Sequence, residues 1–272
     1  MENNNISNLE KESMNKIATI DINEKVKSNY FLQIIFEHLN KKIAYKIIKY
    51  NKKIQQKLNI GVNDYKNYSE IYSSIEIEIK PICGGFCEFF NPQKGEEKFY
   101  HIYFDNNEKE IKRNHLNKDE KVSIIKIRID YQIKSFEDLF KDCYCIESIN
   151  FTQFNRNNIS NMIAMFYQCT NLKEINLSNF NTDSVTNMDL MFSRCLSLEK
   201  LDLSNFNTTN VKRMFRLFYE CGSLKELNFP NLDLSNVTNM KSMFYGCSDE
   251  LIFKIISQHK NIKEEAFDYY LF

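Results

Sequence analysis

The residues of this 272-residue chain that could do chemistry are its eight cysteines and four histidines. Five cysteines, Cys143, Cys169, Cys195, Cys221 and Cys247, recur at intervals of 26 residues. A thiolate serves as nucleophile or metal ligand only beside a base, a cation or a second ligand, and no histidine stands close to a candidate nucleophile. A small, easily buried apolar side chain placed once per repeat accounts for these cysteines more simply, so free thiols are expected. Cys83-Gly-Gly-Phe-Cys87, taken with His101 and His115, could be drawn as a zinc site. Thirteen residues separate those histidines, where classical fingers use about three to five. A Gly-Gly turn flanked by two small buried thiols fits better. As a redox pair, the spacing is one residue longer than in thioredoxin-like motifs. His38 stands alone on an apolar helical stripe and reads as a packed side chain. No metal, no cofactor and no catalytic residue is expected: GxGxxG, GxxxxGK, GxSxG and HExxH are all missing, and six glycines leave few places to wrap a phosphate.

The elements that would position any site follow from composition and periodicity. Lys plus Arg and Asp plus Glu both number 36, so no basic field exists to hold nucleic acid or anionic lipid. The N-terminus is polar without an apolar stretch, and no run approaches the roughly 18 apolar residues of a membrane span. A cytoplasmic location is expected, in a reducing environment that keeps thiols free.

Residues 1–23 read as a disordered tail and 24–60 as a helical hairpin, its stripes carried by Phe31, Ile34, Ile35 and Leu39, then Ile43, Ile47, Ile48, Ile54 and Leu58. Residues 61–121 read as a β-hairpin-rich cap, and alternation of Ile75, Ile77 and Ile79, of Phe99 to Phe104, and of Ile125, Ile127 and Ile129 predicts strands. Residues 122–247 carry the repeat, and 248–272 form a helical C-terminal cap with Ser248 or Asp249 as N-cap.

On the 26-residue ruler the cysteines align with Phe140, Phe166, Phe192, Phe218 and Phe244, and with Ile149, Ile175, Leu201 and Leu227. A fixed period of this length predicts units that bury their apolar sides against one another. Leu172-x-x-Ile175-x-Leu177-x-x-Phe180-Asn181 follows the leucine-rich repeat spacing of one strand and a turn. Val185, Met188, Met191, Phe192 and Cys195 would share one face of a short helix. The expected fold is an α/β repeat solenoid of strand, Asn-rich turn and short helix in each 26-residue coil. Asn179, Asn205, Asn231, Asn181 and Asn207 are expected to satisfy backbone groups in the turns.

The recurring Met-Phe-x-x-Cys-x-x-Leu-x-x-Leu-x-Leu-Ser-Asn-Phe-Asn-Thr-x-x-Val-x-x-Met resembles the BspA-like leucine-rich repeats. That resemblance implies a non-enzymatic binding module, and for many family members a secreted or surface-anchored one used in adhesion. Ile34-Ile35-Phe36-Glu37-His38-Leu39, followed by a helix closing at Leu58, loosely resembles an F-box. This second resemblance implies a substrate receptor docked on a cullin adaptor.

Within each strand the residues on either side of the inward one point outward: Ser148 and Asn150, Glu174 and Asn176, Lys200 and Asp202, Glu226 and Asn228. They form a polar, mildly acidic ladder, the candidate surface for a protein partner. The function expected from sequence is therefore a protein–protein interaction module, with an F-box-like receptor or a surface adhesin as alternatives.

Overall fold

The computed structural model describes residues 52–57, 73–82 and 84–268. The chain divides into Met1–Ser69 and Glu70–Phe272. In the first unit the described element is helix α1, Lys52–Lys57. The tail of residues 1–23, the rest of the helical hairpin, Cys83 and residues 269–272 lie outside the described residues, as does all of the F-box-like stretch except α1.

Alternation builds the second unit. Strand β1 (Ile75–Pro81) turns Ile75, Ile77 and Ile79 into the core and Glu76, Glu78 and Lys80 away from it. It pairs antiparallel with both β5 (Ile125–Ile129) and β6 (Ile146–Gln153), and β5 pairs with β3 (Tyr100–Phe104). On its other side β6 pairs in parallel with β7 (Glu174–Asn176), Ile149 opposite Ile175, and completes a five-stranded sheet in the order β3-β5-β1-β6-β7. Strand β2 (Cys87–Glu88) pairs with β4 (His115–Leu116). Strands β8 (Lys200–Asp202) and β9 (Glu226–Asn228) form a separate parallel pair, with no ladder joining β7 to β8. The three alternating stretches thus become β1, β3 and β5, though β1 pairs with strands far along the chain and not in a local hairpin.

The expected α/β solenoid with a helix in every coil does not form. Among the described residues the α-helices are α1 and α2 (Asp249–Gln258), and the strands fall into separate sheets instead of one repeating sheet. The segments assigned to short helices are runs of turns. In each, two residues take left-handed backbone angles, as Leu190 (φ 60°) and Arg194 (φ 61°) do around Phe192, and a right-handed helix cannot pass through them. The apolar spacing that suggested a helix face is met equally by turns that point every third or fourth side chain inward.

Hydrogen bonding explains what sustains these turns. Within a segment, Met191 N donates to Met188 O and Cys195 N to Phe192 O, closing turns. Leu190 N, Phe192 N and Arg194 N donate to Phe215 O, Leu217 O and Tyr219 O of the next repeat at 2.8, 3.0 and 2.7 Å. The same bonds recur from Phe136 onward, so neighbouring repeats share a ladder that leaves few buried backbone groups unpaired.

Both ends of the ladder are closed by chain outside it. At the N-terminal end Asn91 N donates to Leu139 O at 2.7 Å and Asn91 Nδ2 to Lys141 O at 2.6 Å. At the other end Ser242 N and Phe244 N donate to Glu265 O and Ala266 O of a 3-10 turn, Glu264–Ala266, where a further repeat would stand. Helix α2 begins as expected, with the Ser248 side chain accepting from Leu251 N, and buries Leu251 and Ile255.

The interior is stacked by residue type. Phe140, Phe166, Phe192, Phe218, Phe244 and Phe267 form one file with ring centroids 5.3–5.8 Å apart. Phe154, Phe180 and Phe206 form a second, at 4.2 and 5.8 Å. Arg156 is fully buried beside them.

Candidate binding face

Strands β7, β8 and β9 are three residues long, and each keeps its central residue inward and its flanks outward. Ser148 and Asn150 lie on β6 opposite Glu174 and Asn176 on β7, and Lys200 and Asp202 on β8 lie opposite Glu226 and Asn228 on β9. The structure thus brings the eight candidate residues onto outward strand positions in two groups of four, divided where β7 and β8 do not pair. Ser148 and Asn150 are half-buried and the other six exposed.

These side chains hold one another across repeats. Asn176 Nδ2 donates to Asn150 Oδ1 at 2.9 Å, Asn228 Nδ2 donates to Asp202 Oδ1 at 2.9 Å, and Lys200 Nζ lies 2.8 Å from Glu226. The Ser204 backbone N–H also donates to Asp202, and this contact is the main cause holding its carboxyl below the usual range. Glu226 in turn raises the Lys200 ammonium above its ordinary value.

A neighbouring column changes the electrostatics. Glu147, Lys173, Glu199 and Lys225 stand one repeat apart and alternate in sign, with Lys173 3.1 Å from Glu147 and Lys225 3.3 Å from Glu199. Lys80 of β1 adds a second cation 2.7 Å from Glu147, and the two lysines depress that carboxyl. With this column the face keeps a mildly acidic balance, but as a lattice of paired charges and amides. The alternating column was readable on the 26-residue ruler, whereas the contribution of β1 depends on a long-range antiparallel pairing.

The turn asparagines act on backbone, as expected. Asn179, Asn205 and Asn231 donate to Phe151 O, Leu177 O and Ser204 O in the preceding repeat at 3.1, 3.0 and 2.7 Å. Asn181 and Asn207 accept from the N–H two residues on.

The ruler cysteines are buried free thiols; Cys143 Sγ donates to Lys141 O within its own repeat at 3.6 Å, and each of the others has a partner in the preceding repeat. Cys169, Cys195, Cys221 and Cys247 place Sγ 3.0–3.2 Å from the carbonyl oxygens of Phe140, Phe166, Phe192 and Phe218. A thiol donor that fits where a methyl would leave that carbonyl with less is what the repeat position uses. Burial raises all five far from reactivity, Cys247 to about 12. Cys87, expected as a free thiol of the Gly-Gly turn, is instead joined to Cys145, 58 residues away. The bond ties β2 to the start of the repeats. His101 and His115 do not converge with it on a metal site: His101 lies between Glu110 and Asp130, at 2.9 and 3.3 Å, and His115 packs against the Phe86 ring.

This distribution predicts the outcome of thiol labelling. Iodoacetamide on the native chain should leave all five ruler cysteines unmodified, denaturant should expose them, and Cys87 and Cys145 should label only after reduction. Modification of any ruler cysteine in the native chain contradicts the burial described.

Residues 134–252 match a family model described as a Mycoplasma protein of unknown function, DUF285. The match covers most of the repeats and a little under half of the chain. No curated protein and no solved structure matches the chain. Among the described residues, no helix is long and apolar enough to cross a membrane.

Proposed function

We propose that the chain is a non-enzymatic protein-binding module that uses the outward strand positions of its repeats, in keeping with its BspA-like sequence resemblance. One observation carries this reading: the outward side chains are already held in place by contacts from repeat to repeat, Asn176 to Asn150, Asn228 to Asp202 and Lys200 to Glu226. A surface whose rotamers are fixed before contact loses less entropy on binding than a free one. Paired exposed charges contribute little to folding, about 0–1 kcal/mol each, so they are available to a partner at small cost to the fold.

The test is affinity capture with the whole chain against a variant carrying Glu174→Lys, Asp202→Lys and Glu226→Lys. Specific partners recovered by the native chain should fall at least about tenfold, on the scale of one to a few disrupted charge contacts. Equal recovery by the two proteins removes the face from consideration.

A surface-adhesin reading has its own support in the Cys87–Cys145 bond, because disulfides persist mainly in oxidising compartments. On this reading the module works outside the cytoplasm. Labelling of unpermeabilised cells with an impermeant amine reagent should then tag the protein, and tagging seen only after lysis counts against it.

A further inference from the structure

The row of strands ends at β9, and no described strand pairs with its far edge. On the ruler, the next strand would fall at residues 252–254, which instead belong to α2. A helix is about 10–12 Å across, whereas a strand needs about 4.8 Å beside its neighbour. The substitution therefore leaves a cleft between β9 and α2 of about 450 Å³, with Leu227, Phe229 and Leu251 among its apolar lining and Lys225, Lys254 and His259 among its polar lining. Leu227 is only half-buried there, although Leu201, its neighbour on β8, is 3% exposed.

An open strand edge facing a helix across a partly apolar groove is the geometry in which an extended peptide adds as a further strand. Its main chain pairs with the edge, and alternate side chains enter the groove. Charge selects the peptide. The cleft has one carboxylate, Glu226, already placed on Lys200, against two lysines, Lys225 and Lys254. Lys225 and Lys254 hold Glu199 and Glu250 in exposed pairs at 3.3 and 2.7 Å, which an incoming carboxylate can replace at small cost.

We propose that the edge of β9 docks an extended segment of a partner protein that carries acidic side chains at alternate positions. The proposal rests on the reading of the chain as a protein-binding module and assigns it a second site, which adjoins the outward strand face at Glu226 and Asn228.

A phage-displayed random heptapeptide library panned on the full chain tests it. Enriched peptides should carry Asp or Glu at alternate positions and should slow amide exchange at Leu227 and Phe229. Their binding should weaken at least tenfold with Lys254→Glu and less with Lys254→Gln, both variants melting close to the native chain. It should be unchanged by Glu174→Lys, since Glu174 lies on β7 away from the cleft. Failure to enrich any peptide, or equal binding by the Lys254 variants, overturns the proposal. So does binding that appears only after residues 269–272 are deleted, since the chain's own end would then fill the cleft. Peptides lost with the strand-face variant but indifferent to Lys254 would sink the edge site and leave the module reading standing.

Discussion

Replacing Arg156 with leucine is expected to destabilise the chain by about 3 kcal/mol or more, from the loss of charge-assisted hydrogen bonds worth about 1.5–3 kcal/mol each. The guanidinium is fully buried, and its Nη1 and Nη2 donate to the carbonyls of Asp130 and Ile133, the first at 3.0 Å, while Nε donates to Asn158 at 3.1 Å. It thereby fixes the turn that leads from β5 toward the first repeat. Burial lowers its pKa to about 10, leaving it charged at neutral pH. Leucine fills much of the volume but leaves the Ile133 carbonyl without its donor, at about 1–3 kcal/mol, and the Asp130 carbonyl with only the Ile133 N–H at 3.3 Å. Lysine restores only part of the loss, because its single ammonium cannot reproduce the planar fork. Urea unfolding of the three proteins checks this, and a loss below about 1 kcal/mol for Arg156→Leu would show that the arginine is not holding the turn.

Phe192→Ala should be of similar size, about 3–5 kcal/mol. Phe192 is fully buried at the middle of the phenylalanine file, stacked on Phe166 at 5.4 Å and Phe218 at 5.8 Å. Its backbone N–H donates to Leu217 O, and its carbonyl lies 3.0 Å from the Cys221 thiol. Truncation thus opens a cavity at the level where three repeats meet. Phe192→Leu keeps most of the volume and should cost less than about 2 kcal/mol. Equal losses for the two substitutions would mean that ring stacking and cavity size are not what the position supplies.

The ruler made the unit length, the inward columns and the outward strand positions legible, because apolar residues must return to the same interior at each repeat. It did not make the turn conformation legible. The left-handed positions hold Asp138, Ala164, Leu190, Arg216 and Ser242 in one column and Asp142, Gln168, Arg194, Glu220 and Gly246 in the other. Of these only glycine advertises a positive φ, and the hydrogen bonds that sustain the rest run to the next repeat, beyond any local signal. The Cys87–Cys145 bond was hidden for a similar reason: Cys145 stands two residues past the ruler position, and its partner comes from the cap. The pairing of the charges on the strand face could be read in part, since the Glu147, Lys173, Glu199, Lys225 alternation is a property of the repeat.

A fixed strand face depends on repeats held together by stacked turns and not by helices, and Gly246→Ala separates these directly. Gly246 has φ 76°, and an added Cβ would stand 3.1 Å from Glu220 Cα. In a helix the change would gain up to about 1 kcal/mol, whereas in a left-handed turn it costs about 1–2 kcal/mol. The urea midpoint of the variant is predicted to fall, and a rise would contradict the stacked-turn account.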